Sequence, residues 1–444
     1  MVLFAPFRGI TYNFRKFKDI SQLVAPPYDV ISDKEQDYYY KVSPYNVIRL
    51  ILGKEMVGDT DWYNKYTRAA EYFKKWLKEG ILVQAKRPSI YLTCISYRIK
   101  GEIKHRWAII GIVKIEDNDS KMILPHERTF SAYKEDRLRL MKACSAQLSQ
   151  IFGLYSDPKD EILSLVKERV KIDSPLIDFE FKDKTRHKMW VIEDDTALFK
   201  RLKEMFSEKR IIIADGHHRY ETSRNFRNLM RIRYGRHPYK SYEFVMMYLA
   251  NMDNDSLTVL PSHRLVKKAS NFELNKFLKE ASELFDITEL NTFETKKIEA
   301  ILSELGLKNS TFIFFTHTTS KGYIMHLKEE AKEQIGNDLH PALKKLDVLI
   351  LSRLVFQRLL GFSKQDLDNN MIFNYTTDIE EAIQQVKEGK FQMAFLLNPT
   401  RIESIKEITM NSLIMPRKST YFYPKILSGL VFNKIDPNEI IQIP

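Results

Sequence analysis

Arg210-Ile-Ile-Ile-Ala-Asp-Gly-His-His-Arg219, continued by Tyr220-Glu-Thr222, decides how this chain reads. Ile211 to Ala214 form an unbroken apolar run and read as a short buried strand. Asp215-Gly216 breaks it, and a helical pattern starts at once. Such a handover presents backbone N–H groups and the positive end of a helix dipole, both suited to an anion. His217, His218 and Arg219 add donors for a phosphate or carboxylate at that point, beside Gly216. Asp215 can orient a histidine, hold a metal or take a proton. The bland alternative is a corner with surface histidines, but such charge density straight after a buried strand favours a site.

Outward from this corner, helices and strands alternate without a repeat or a low-complexity segment. Asp61 reads as the N-cap of a helix over 62–79, closed by Gly80. Residues 90–99 and 106–115 read as a hairpin around Lys100-Gly101, followed by a helix over 134–149. Helices are expected over 161–170 and 195–206, a strand pair over 179–192, and a buried strand over 244–252. From Phe272 the text becomes a motif-free α+β stretch, and Leu346 to Leu360 reads as a strongly apolar helix. The class expected is α+β. The division expected is 1–270 as the catalytic region, 271–330 as a small lobe, and 331–444 as a C-terminal region that brings a motif back to the site.

The chain has 444 residues, 44% hydrophobic and 29% charged, which is globular composition and excludes a disordered chain. No run reaches the ~18 apolar residues of a membrane helix, and no signal-peptide layout opens the sequence, so a cytoplasmic protein is expected. Cys94 and Cys144 stand far apart and fit buried thiols. The formal net charge of +12 suits a polyanionic partner. Most lysines alternate with glutamate as on a solvated helix face, so nucleic acid is not the expected partner. The densest basic run holds Arg224, Arg227, Arg231, Arg233 and Arg236 on the helix after the corner.

Polar residues at the ends of apolar runs include Asp29, His126, Glu127, Arg128, Thr129, Asp215, His217, His218, Arg219, His263, Arg264, Lys418 and Lys425. Their histidines and arginines favour a multiply charged anion, which several segments together could grip through its phosphate oxygens. Zinc is disfavoured, because neither a His-Glu-x-x-His helix nor paired cysteines occur. A hard cation such as Mg2+, shared between phosphate oxygens and a carboxylate from Asp215 or Glu127, suits the set better. Walker A, Rossmann, nucleophile-elbow and kinase HRD or DFG texts are missing. Pro26-Pro27 stiffen the backbone ahead of Asp29.

Six segments carry a family resemblance: Ala25-Pro-Pro-Tyr-Asp-Val-Ile-Ser32, Leu124-Pro-His-Glu-Arg-Thr129, Ala214-Asp-Gly-His-His-Arg-Tyr-Glu-Thr222, Met247-Tyr-Leu-Ala-Asn-Met252, Pro261-Ser-His-Arg264 and Lys418-Ser-Thr-Tyr-Phe-Tyr-Pro-Lys425. Together they resemble a family long labelled a domain of unknown function, which now includes pyrophosphate-dependent L-serine kinases. The Asp-Gly-His-His-Arg text also resembles the core of ADP-dependent serine kinases and, more remotely, the ParB/sulfiredoxin nucleotide-binding fold. The resemblance implies a ParB/sulfiredoxin-like core assembled from the 20–55 and 205–265 regions. It implies transfer of a phosphoryl group from pyrophosphate to L-serine with Mg2+, giving O-phospho-L-serine and phosphate. It points to Asp29 as the base, with Asp215 and Glu35 as fallbacks, and to Asp215 and His218 in further catalytic roles. His217, His218, Arg219 and Gly216 would hold the transferring group. His126, Arg128, Thr129, His263, Arg264, Lys418 and Lys425 would hold the rest of the donor. The alternatives are a serine kinase of the same fold using ADP or ATP, and a ParB-like nucleotide- or nucleic-acid-binding module.

Overall fold

The computed structural model describes residues 1–117, 120–127 and 131–444, with backbone alone for 131–133. It divides into two compact units. The first comprises residues 1–125, 129–258 and 424–444, and the second 126–128 and 259–423.

The first unit is built on a nine-stranded mixed sheet. The long hairpin Ser89–Ile99 and Glu102–Lys114 lies near its middle, turning at Lys100 and Gly101, both with positive φ. Phe244–Asn251 pairs antiparallel with Glu102–Lys114 and parallel with Ile151–Tyr155. Ile211–Asp215 lies between Ile151–Tyr155 and Ile123–Leu124. Phe244–Asn251 is buried throughout, as expected of a strand covered on both faces. One face packs on the helices Glu161–Lys167 and Thr196–Ser207, through Ile162, Val166, Leu198, Leu202 and Phe206 against Ile109, Leu249, Ile211 and Ile213. The opposite face carries Phe152 and Tyr248, with ring centres 5.3 Å apart. The C-terminal tail is stitched to this unit through Ala25–Ser428 and Ile10–Phe432 bridges and the Asn433–Gln147 pairing.

The second unit is a six-stranded antiparallel sheet in the order Phe285–Leu290, Gly322–Leu327, Thr311–Thr316, Met393–Leu397, His263–Val266, Phe373–Thr376. One face packs on Thr295–Gly306 and Ile379–Lys387. The other is aromatic, with Phe277 and Phe356 against Phe314 and Phe395. The 271–330 segment is therefore half of a larger sheet and not a lobe by itself, because Thr311–Thr316 hydrogen-bonds to Met393–Leu397. The expected division at 270 and 330 gives way to this pairing.

Locally, the helix expected over 62–79 runs Lys65–Lys78, because Asn64 and Thr67 close a capping box ahead of it. The helix expected over 134–149 is Ser131–Cys144 and gives way to a short strand, Ala146–Gln147. The apolar helix at 346–360 starts as Asp347–Ile350 and widens into π-helical turns over Leu351–Leu359. Cys94 and Cys144 are buried free thiols, and burial pushes their pKa values up to about 11 and about 12. Among the described residues no helix is long and apolar enough to cross a membrane.

Candidate functional site

The corner sits at the end of the Ile211–Asp215 strand, and a register shift decides what it presents. Ile213 pairs with Gly153, yet Asp215 pairs with Phe152, so Ala214 is an extra residue in the ladder. Regular alternation would put Asp215 on the same face as Ile213, inside the apolar core. The bulge turns it to the opposite face, beside Phe152.

Gly216 follows with φ +91°, a left-handed conformation that other residues adopt at a cost. A Cβ there would come within 3.0 Å of the Arg219 guanidinium. Glycine thus permits both the turn and the arginine lying across it. The helix His217–Tyr234 starts immediately, and its N-cap, Gly216, has no side chain to cap the first turn. His217 is buried and His218 half-buried.

Asp215 is held between two cations. Its Oδ2 accepts from Arg219 Nη2 at 2.5 Å, and its Oδ1 accepts from Lys425 Nζ at 2.9 Å. Arg219 also donates to the Gln150 carbonyl. Burial works against the ionised carboxyl, but Lys425 and Arg219, helped by His217, outweigh it and hold its pKa well below the usual carboxylate range. Asp215 is therefore a poor proton acceptor, and its oxygens are already occupied by cations. Its chemistry is to fix two positive groups in place.

The N-terminal segment reaches the same neighbourhood. Tyr28 and Arg219 both line a cavity of about 50 Å3, together with Arg137, Ser149, Thr222 and Ser223. Arg137 stacks 3.9 Å from the Tyr28 ring centre and donates to the Ile51 carbonyl. Burial, with the charge of Asp29 adding to it, pushes the Tyr28 hydroxyl up to about 12. Asp29 follows in the one-turn segment Tyr28–Val30 behind Pro27 and is exposed. Glu35, the fallback base, is otherwise engaged. It closes a capping box with Ser32 and accepts from Lys182 at 3.1 Å.

In the second unit His126, Glu127, Arg264 and Lys418 come together. His126 is fully buried, and its Nε2 lies 2.9 Å from the Thr420 hydroxyl, which also donates to Glu127 at 3.5 Å. Arg264 is buried. It donates to Ser262 and to the Lys418 carbonyl at 3.0 Å, and stacks 4.7 Å from the Tyr375 ring centre. Lys418 has φ +56°, uncommon for a lysine. His263 departs from the expected role. It lies in the interior strand His263–Val266, where neighbouring residues face opposite sides, so it does not share a face with Arg264. Burial first, then Arg264, lowers its pKa to about 3, and its Nδ1 accepts the Leu397 N–H at 3.2 Å. It is a neutral core imidazole. Arg128 and Thr129 lie outside the described residues.

The metal expectation for Asp215 and Glu127 does not fit this donor set. Asp215 is spent on two cations, Glu127 accepts the Thr420 hydroxyl, and among the described residues no three His, Cys, Asp or Glu side chains gather as ligands. Four of the five arginines in the basic run after the corner face carboxylates. Arg224 faces Glu221, Arg227 and Arg236 face Asp117, and Arg231 faces Glu243. These pairs leave it a poor electropositive track for a nucleic-acid backbone.

Two residues of this face escaped the sequence reading. Gln150 supplies a carbonyl to Arg219. Arg106 lies under the Phe152 and Tyr248 rings, and a charged residue at an inward position of an apolar strand was its available signal.

A family model described as "Protein of unknown function (DUF1015)" matches residues 4–349. No curated protein matches the chain. Among solved structures, the chain is similar to a conserved hypothetical protein from Pyrococcus furiosus, at 12% identity and a TM-score of 0.33, covering 71% of this chain and 91% of that one. It is similar to a free serine kinase in complex with AMP, at 12% identity and a TM-score of 0.32, covering 70% and 86%. It is also similar to SbnI with C-terminal truncation from Staphylococcus aureus, at 10% identity and a TM-score of 0.33, covering 72% and 85%.

Proposed function

The chain belongs to the DUF1015 family, and from that premise we propose that it is a kinase transferring a phosphoryl group from pyrophosphate to the hydroxyl of free L-serine. The observation that carries this reading is the Asp215–Arg219–Lys425 cluster on a glycine turn at the start of a helix. The cluster has two cations for one carboxylate, so it attracts an anion. Arg219 uses two N–H groups on Asp215 and Gln150 and has five in all. Phosphoryl transfer depends mostly on positioning and charge neutralisation, which is what fixed cations supply.

In the proposed reaction the serine hydroxyl oxygen forms a bond to one phosphorus as the bridging P–O bond breaks. The bridging electrons leave with inorganic phosphate, and the hydroxyl proton passes to the Asp29 carboxylate. Arg219, Lys425, His217 and His218 neutralise the donor at the helix start. Neither Asp215 nor His263 takes a proton in this scheme. Mg2+ would bring charge neutralisation with the diphosphate itself, since among the described residues no carboxylates gather as a cage for it.

The test is donor choice. Phosphoserine is quantified by mass spectrometry after incubation with serine, magnesium and either pyrophosphate, ADP or ATP at equal concentration. Fastest formation with pyrophosphate supports the proposal. Formation only with a nucleotide replaces the donor and keeps the kinase.

A further inference from the structure

Arg106 lies in the Glu102–Lys114 strand and is 1% exposed. Register places it on the same face as the corner. Asp215 opposes Phe152, Phe152 opposes Tyr248, and Tyr248 opposes Ile110, from which alternation runs through Ala108 to Arg106. The guanidinium stands 4.9 Å from the Phe152 ring centre and 5.5 Å from that of Tyr248. Its Nε donates to the Tyr248 hydroxyl at 3.2 Å and its Nη2 to the Pro424 carbonyl at 2.7 Å. Its Nη1 is buried and has no hydrogen-bond partner among the described residues.

Arginine stays charged in proteins. None of the acceptors found for Arg106 among the described residues is a carboxylate, so a full positive charge is buried against neutral groups. An apolar side chain of similar volume would fill the space without that penalty. The bond to Pro424 is what a purely apolar filler would lack. The residue after Pro424 is Lys425, whose ammonium holds Asp215.

Resting on the reading of the site given above, we propose that Arg106 is a positioning residue for the donor cluster. It pins the Pro424 carbonyl so that Lys425 is delivered to Asp215. Its unneutralised charge makes the face three cations to one carboxylate, which selects a small polyanion of the diphosphate class over a singly charged ligand.

The test compares the wild type with Arg219→Ala, Arg106→Met and Arg106→Lys. The pyrophosphate KM, serine KM, kcat and thermal upshift by pyrophosphate are measured for each. Arg106→Met is expected to raise the pyrophosphate KM at least about tenfold with little change in the serine KM, and Arg106→Lys to recover part of the loss. If Arg106→Met does not fold, the lysine variant decides: a raised pyrophosphate KM supports the proposal and an unchanged one overturns it. Lowered melting temperatures with an unchanged pyrophosphate KM would mean that Arg106 serves the core alone, as would loss of fold in both variants, and either overturns the proposal. Normal pyrophosphate use by the wild type, lost in Arg219→Ala and kept in both Arg106 variants, sinks this inference and spares the site. A wild type indifferent to pyrophosphate sinks both.

Discussion

Asp215 shows how one inserted residue can set a chemical role. The bulge at Ala214 takes its carboxyl out of the apolar core and gives it to Arg219 and Lys425. With both oxygens so held, it cannot serve as the base, and the exposed Asp29 is the remaining candidate. Arg219→Ala is expected to lower phosphoserine formation at least about 100-fold. The fold should survive, at a cost of about 1–2 kcal/mol, since Asp215 keeps Lys425; kinetics beside far-ultraviolet circular dichroism check this. Asp29→Asn should lower kcat by a larger factor than it raises the pyrophosphate KM, and an unchanged kcat would move the base elsewhere. The composition of this cluster was legible in the sequence around Asp215 to Arg219. Its orientation was not, because a bulge leaves no mark in residue type. Arg106 was missed for another reason: its strand was recognised, but the pairing that aims it toward Tyr248 is a long-range fact.

At the scale of elements, the strand–glycine–helix corner depends on Gly216. Gly216→Ala strains a backbone at φ +91° and pushes on the Arg219 guanidinium. The expected loss is about 1–2 kcal/mol of stability, with a larger fractional loss of donor affinity than of fold, read by denaturant unfolding and by the pyrophosphate KM. The strand His263–Val266 gives a pH test. Unfolded histidine protonates near about 6.5, whereas His263 in the folded unit does so only at about 3. Below about 6.5 the unfolded chain takes up a proton that the folded one refuses. Stability from this residue is therefore full above that pH and falls as the pH drops toward 3, by a few kcal/mol at most. His263→Asn, which keeps an acceptor for the Leu397 N–H, should flatten the acid limb of the unfolding curve. An unchanged limb would contradict the buried neutral imidazole. Sequence could not distinguish His263 from its neighbour Arg264, because alternation gives opposite faces without saying that both are buried or which partners each meets.

Across the whole molecule, strands and helices were read from periodicity more faithfully than domains were. The α+β stretch expected from Phe272 holds the strands 311–316 and 322–327, but the further partner of 311–316, at 393–397, lies far along the chain. Contiguous text therefore suggested a lobe where the protein has a composite sheet. Residues 424–444, from the region expected to bring a motif back to the site, belong to the first unit, and Lys425 there binds Asp215. The net charge of +12 is likewise uninformative until pairing is known, since most arginines after the corner face carboxylates, while at the corner Arg219 and Lys425 share the single carboxylate of Asp215. The central claim is that this cluster grips a bare diphosphate for transfer to serine. Phosphorus NMR of the full chain with magnesium, L-serine and pyrophosphate tests it most directly. The account predicts phosphoserine and orthophosphate appearing in equal amounts as pyrophosphate disappears; orthophosphate alone, or no change in the pyrophosphate signal, would contradict it.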